Sequence, residues 1–168
     1  INKVISTDSI REIMRLAFSN DLLPTLFHST TEAWKGLPME FQSSEQLIAG
    51  YCLQANQVSL GVRAVVERTV EDGENLLVEG AHLVPFLHEI AKKEMVDAYH
   101  IPITLSIMNE KHHRERFSER GTKNLRKIEN FYLERFDGIR SIHGYTLTQC
   151  ETDAVSYTHL TLPTSTLV

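Results

Sequence analysis

Two acids, Asp8 and Glu79, each stand at the end of a short apolar run, the first over Lys3–Ser6 and the second over Asn75–Glu79. In an open parallel sheet, ligands bind beyond the carboxyl ends of the strands. A carboxylate placed there can touch Mg2+ or take a proton from a hydroxyl beside a phosphate. Asp8 has a plainer use as the cap of the helix that follows. Arg11 shifts the balance toward chemistry: an acid and a guanidinium at i, i+3 suit a substrate with a hydroxyl and an anionic group, because arginine grips phosphate or carboxylate bidentately. Its plainer use is a surface pair with Glu12 or Asp8. In Glu79-Gly80-Ala81-His82, Gly80 lets the backbone approach a ligand closely. His82 can donate to a substrate oxygen or serve as a satisfied turn histidine.

A third cluster is basic: Lys111, Arg114, Arg116, Arg120 and Lys123. Such a run is ordinarily a solvated helix face. The sharper reading is a mobile lid whose arginines neutralise charge on a transferring phosphoryl group. Arg116 and Arg120, at i, i+4, share a face as a lid requires. His112 and His113 are adjacent and point apart on a helix, so they make no metal site. The chain contains no G-x-x-x-x-G-K-[ST], G-x-S-x-G or H-E-x-x-H, and no zinc-type cysteine spacing.

The elements that must position these groups follow from periodicity. Strand Lys3–Ser6 leads into a helix capped by Asp8 or Ser9, with Glu12 at capping-box distance and Ile10, Ile13, Met14 and Ala17 at helical spacing. Asn20, Asp21 and Pro24 end it. A polar and aromatic loop from Leu26 to Pro38 carries His28 and a turn around Trp34. A long helix is expected from about Ser43 to Asp72, with Leu47, Ile48, Tyr51, Ala55, Val58, Val62, Val65 and Val66 on its apolar face and Gly73 as its stop. Asn75–Glu79 reads as a parallel strand buried on both faces. A helix over about Pro85–Lys93, a buried strand over Ile101–Met108, a charged helix over Glu110–Arg120 and a last helix from Asn124 to about Glu151 complete the pattern. Ile128, Phe131, Phe136, Ile139 and Ile142 mark the last apolar face. Alternating strands and helices imply an α/β parallel sheet.

Composition narrows the classes. The 168 residues are 42% hydrophobic and 23% charged, near the soluble average. No run approaches the ~18 consecutive apolar residues of a membrane span. The formal charge is −5, and Glu115 and Glu119 interrupt the basic helix, which argues against a nucleic-acid partner. Two cysteines, Cys52 and Cys150, are too few for a disulfide framework and point to a reducing, cytoplasmic setting. Cys52 reads as a small buried residue.

Several strings together resemble the 2-phosphoglycerate kinases: VISTDSIREIMR (Val4–Arg15), LLPTLFHSTTEAW (Leu22–Trp34), the stretch from Gly50 to Pro85 ending in LLVEGAHLVP, RERFSERG (Arg114–Gly121) and FYLERFDGIRSIHGY (Phe131–Tyr145). The resemblance runs from Val4 to about Asp153. It implies a P-loop nucleotide-binding fold and the Mg-ATP-dependent phosphorylation of 2-phosphoglycerate to 2,3-bisphosphoglycerate, its acceptor being a small phosphorylated hydroxy acid. By the same resemblance, Asp8 and Arg11 face the acceptor. Glu79, as a possible Mg2+ ligand directly or through water, and His82 lie by the metal–phosphate region, and Arg116 and Arg120 are lid arginines. His28, in the loop to Trp34, is expected to bind substrate. Related acceptors, or a non-catalytic module that has lost its phosphate loop, are the alternatives.

The ends bear on that expectation. The chain opens at Ile1 without Met, at once in a strand, and the family's first strand and phosphate loop lie upstream of Val4. The sequence therefore predicts an incomplete sheet over residues 1–154 that lacks its central strand and phosphate loop, and that does not itself bind ATP tightly. From Val155 to Val168 the run VSYTHLTLPTSTLV has no acid, lysine or arginine. It resembles sequencing-adapter read-through and is expected to be a non-native tail; a Thr-rich extended strand is the other reading.

Overall fold

Ser6 ends the first strand and starts the first helix with no residue between them. A computed structural model describes residues 3–38, 45–84, 99–123, 131–152 and 157–159, the side chains of 118–123, 152 and 157–159 excepted. The chain divides into two compact units, Ile1–Ile101 and Pro102–Val168.

In the first unit, β1 (Lys3–Ser6) passes into α1 (Thr7–Ala17), two 3-10 helices (Pro24–Phe27 and Thr30–Gly36), α2 (Gln46–Glu71) and β2 (Leu76–Glu79). β1 and β2 pair in parallel, with Val4 beside Leu77, Ile5 beside Val78 and Ser6 beside Glu79. The cap of α1 differs from expectation. Ser6, not Asp8 or Ser9, accepts the N–H of Ser9 at 3.1 Å. Asp8 thus falls within the first turn, where its charge favours the helix dipole and its carboxylate is not used as the cap. At the far end, Gly73 adopts φ +67 after α2, the left-handed stop expected of it.

Ile10 and Met14 of α1 pack with Leu26 and Val58, flanked by Ile5, Leu23, Phe27 and Val62. Ile13 and Ala17, expected on the same face, are exposed, so the buried stripe of α1 is narrower than its apolar pattern. In α2, Tyr51, Ala55 and Val58 are buried as expected, but so are Gly50, Gln54 and Thr69. Gly50 faces the Thr30–Gly36 helix so closely that a Cβ would overlap the backbone of Trp34. The expected loop around Trp34 is thereby a 3-10 helix pressed on α2.

The sheet departs from the doubly buried pattern. Ile5 and Val78 turn inward, while Val4 is 64% and Leu77 44% exposed. Apolar runs alone do not reveal whether both faces of a strand are covered.

In the second unit, β3 (Thr104–Ser106) pairs in parallel with β4 (Tyr157–His159), with Ser106 beside His159. Part of the Val155–Val168 run is thus an extended strand. Ile103 and Leu105 are more than half exposed, against the buried strand expected over Ile101–Met108. α3 (Glu110–Lys123) is capped by Asn109, whose Oδ1 accepts the N–H of His112 at 3.0 Å. The last helical region carries a turn at Arg135 between a helical stretch at 131–134 and α4 (Phe136–Thr152). Phe136 and Ile142 are buried there. Cys150 donates to Thr104 Oγ1 at 3.2 Å, while Cys52 is only half-buried; neither cysteine forms a disulfide. The expected Pro85–Lys93 helix and Ile128 lie outside the described residues. No helix among the described residues is long and apolar enough to cross a membrane.

Gly50→Ala is expected to lower the urea stability of the first unit by about 1–3 kcal/mol, because α2 must move off Trp34. Gly144→Ala, in α4 with nothing within 4 Å of the new methyl, is expected to raise stability by up to about 1 kcal/mol in the same experiment.

Candidate active site at the ends of the parallel strands

The β1–α1 junction and the turn after β2 meet at Thr7 and Gly80. Gly80 has φ +138, and a Cβ there would overlap Thr7 Oγ1. Only glycine combines that backbone angle with that closeness. The approach brings His82 under the start of α1. Thr7 Oγ1 lies 2.9 Å from His82 Nδ1, and Gln54 Oε1, from α2, lies 3.1 Å from His82 Nε2. Tyr51 reinforces the arrangement by donating to Ala81 O at 2.7 Å.

The network settles the protonation of this ring. Gln54 Nε2 donates to the carbonyls of Thr25 at 2.5 Å and His28 at 3.0 Å, so its Oε1 is free to accept. His82 therefore carries its proton on Nε2 and accepts from the Thr7 hydroxyl at Nδ1. Burial pushes its pKa down to about 4; Asp8 opposes this and Arg11 adds to it. The ring expected to reach a substrate oxygen is fully buried with both nitrogens engaged.

Arg11 is also largely committed within the protein. Its Nη1 donates to the carbonyls of Leu26 at 3.1 Å and His28 at 2.8 Å, and its Nη2 pairs with Glu12 at 2.9 Å. Arg11 and Gln54 thus hold residues 25–28 from two sides through main-chain oxygens. His28 enters the site through its carbonyl, with its side chain half-buried.

Asp8 is left facing water. Its carboxylate is 3.8 Å from Arg11 Nε and 4.0 Å from His82 Nδ1, and its side chain is 72% exposed. Because His82 is neutral, the second contact is a boundary and not an ion pair. Glu79 stands exposed on the adjacent strand, in register with Ser6. Magnesium keeps several waters and takes one or two carboxylates. Glu79 offers one exposed carboxylate of the kind that pattern uses, and no group of three or more His, Cys, Asp or Glu side chains gathers among the described residues.

Structure therefore brings together Asp8, Arg11, the His28 carbonyl and His82, with Glu79 one strand away. Arg116 and Arg120 lie on α3 of the second unit. Arg116 is half-buried, and the side chain of Arg120 lies outside the described residues. Sequence reasoning missed Thr7 and Gln54. The signal for Gln54 was present: it lies between Tyr51 and Val58 at helical spacing, an amide on a buried stripe, which must find partners.

Among known proteins, a 2-phosphoglycerate kinase of Methanocaldococcus jannaschii is 39% identical over 145 residues, covering 86% of this chain and 45% of the relative. Those of Methanopyrus kandleri and Pyrococcus furiosus are 36% and 38% identical, covering 90% and 88% of this chain and 46% of each relative. This chain is a homologue of the 2-phosphoglycerate kinases. It spans about half the length of the curated relatives it matches. No family model matches, and no solved structure matches. The similarity to 2-phosphoglycerate kinases extends over most of the chain, in keeping with a helix-rich α/β architecture built on short parallel strands.

The His82 network makes the first unit sensitive to acid. Free histidine gains a proton near pH 6.5, while folded His82 resists until about 4. Between these values the unfolded chain binds the extra proton. The stabilisation is complete above pH 6.5 and is lost as pH falls through 4, by about 3 kcal/mol in all. In the second unit His113, also lowered to about 4 by burial, makes that unit sensitive in the same direction. Histidine ring NMR is expected to show His82 as the neutral Nε2–H form at pH 5.5. A His82 signal titrating near 6.5 would contradict the assigned network.

Proposed function

We propose that these residues belong to an ATP-dependent kinase that phosphorylates 2-phosphoglycerate to 2,3-bisphosphoglycerate. The observation that carries the reading is the exposed Asp8 carboxylate just past the carboxyl end of β1, with Glu79 ending the neighbouring strand opposite Ser6. Homology to enzymes of that name supports it. In this reading Asp8 orients the acceptor hydroxyl and takes its proton as the oxygen attacks the γ-phosphorus and the bond to the leaving diphosphate breaks. Glu79 would hold Mg2+ or its water shell, and the metal would supply charge neutralisation at the phosphates. Arg116 and Arg120 would stabilise the transferring group as lid arginines.

The geometry changes the parts given to Arg11 and His82. Arg11 spends Nη1 on residues 26 and 28 and Nη2 on Glu12, leaving Nε without a hydrogen bond, and so would act on the acceptor by positioning the His28–Trp34 segment. His82 positions the β1–α1 junction that carries Asp8. The nucleotide is assigned to no residue here, since no G-x-x-x-x-G-K-[ST] occurs in the 168 residues. We place the enzyme in the cytoplasm, in keeping with two cysteines that are not joined in a disulfide.

The test is an ATP-consumption assay on the full-length protein with 2-phosphoglycerate and a panel of other phosphorylated hydroxy acids. Turnover fastest with 2-phosphoglycerate is expected, and Asp8→Asn is expected to lower kcat by about 10²–10⁴-fold with little change in KM. Faster turnover of another phosphorylated metabolite would reassign the acceptor, and no turnover with any would remove the kinase reading. Calorimetric titration of the 168 residues alone is expected to show no micromolar binding of Mg-ATP.

A further inference from the structure

The second unit gathers basic groups where β3 ends. Arg140, on α4, donates through Nη1 to Ile107 O at 2.8 Å and through Nη2 to Met108 O at 3.3 Å. The Nδ1 atoms of His113 on α3 and His143 on α4 each lie 3.4 Å from that Nη1. The two imidazole centroids are 5.7 Å apart. Arg116 follows His113 by one turn, and its buried Nε has no hydrogen-bond partner among the described residues.

Donors outnumber acceptors at this point. His143 meets an N–H at both nitrogens: Arg140 Nη1 at Nδ1, and the Ile107 amide at Nε2, 3.4 Å away. A neutral imidazole accepts at one nitrogen only, and a protonated one at neither. One of these donors therefore has no acceptor in the contact it makes. Among the described residues, the nearby acids do not answer the need. Glu110 is turned to Arg114 at 3.7 Å, Glu115 to Lys111 at 3.9 Å, and Asp137 is exposed. Arg114 lies over the Phe136 ring, 4.1 Å from its centroid. After burial, the charges that act on His113 are all basic: His143, Arg140 and Arg116.

We propose that the carboxyl end of β3 is a binding site for a phosphate-type oxyanion, held by Arg140, His113, His143 and Arg116. A tetrahedral anion accepts from several directions at once, which suits a cluster whose donors come from a loop amide and two helices. Its charge also offsets the repulsion between the two arginines and favours protonation of the two histidines. The phosphate is either free or the end of a small monoester. The site shares Arg116 with the proposed lid, but its test needs neither nucleotide nor turnover, so the two readings can fail separately.

The experiment follows the histidine ring signals of the full chain by NMR as inorganic phosphate or glycerol 1-phosphate is added, with sodium chloride and sodium acetate at matched ionic strength as comparison arms. Phosphate is expected to raise the apparent pKa of His113 and His143 by about one unit or more, saturating in the millimolar range. His82 and the exposed His112 should not respond. Stronger binding of inorganic phosphate marks free phosphate as the ligand, and stronger binding of the ester marks a phosphorylated metabolite. Arg140→Gln should abolish the response. Since Arg140 also holds the Ile107 and Met108 carbonyls, Arg116→Gln serves as a second variant that leaves those bonds intact and should weaken binding about tenfold, the loss of one charge-assisted donor. An equal response to acetate, no response to either phosphate, or a response unchanged in both variants overturns the proposal.

Discussion

The hydrogen bond from His82 Nε2 to Gln54 Oε1 requires that Nε2 carry the proton, and Thr7 then closes the other nitrogen only if Nδ1 is bare. A buried imidazole in this setting has one acceptable form, the neutral Nε2–H tautomer. The ring connects the β1–α1 junction, α2 and the turn after β2, so three separate stretches of chain depend on one proton being in one place. Burial keeps it there by making the charged form costly.

That connection demands unusual closeness, and glycine provides it. Gly80 lets the turn lie on Thr7, and Gly50 lets α2 lie on the backbone of Trp34. Between these approaches Arg11 and Gln54 grip the carbonyls of residues 25–28 from opposite sides. The result is a floor of buried, hydrogen-bonded polar groups beneath the solvent-facing Asp8, with the Arg11 Nε left without a hydrogen bond. A carboxylate raised on such a floor is what the acid–base role proposed for Asp8 requires.

The acids at strand ends were legible in the sequence because apolar runs show where strands stop. The long helix and its Gly73 stop were legible for the same reason. What could not be read was the use of each polar side chain. Asp8 and Ser6 are both good caps, and two residues of backbone geometry decide between them. Arg11 and His82 looked like ligand groups because residue type records what a side chain can do. Whether a carbonyl or an amide from a distant helix has already claimed it is a matter of tertiary contact: His82 to Gln54 spans 28 residues. Exposed Val4 and Leu77 mark a similar limit, since periodicity reports apolarity and not what covers it. The basic groups at the end of β3 came from two helices and a loop, with no local string to announce them.

Arg11 and Gln54 hold the segment before Trp34 by its main-chain oxygens, which every amino acid possesses. Partly exposed side chains from His28 onward are therefore relieved of the task of keeping the segment in place, which rests instead on those carbonyls, on buried Ala33 and on close-packed Gly36. Those partly exposed positions can be rewritten while the path of the segment is preserved, so that in the proposed kinase its selectivity can drift through substitution without first passing through a misfolded intermediate. A scaffold that anchors a segment by its backbone is, in this sense, built to change what that segment presents.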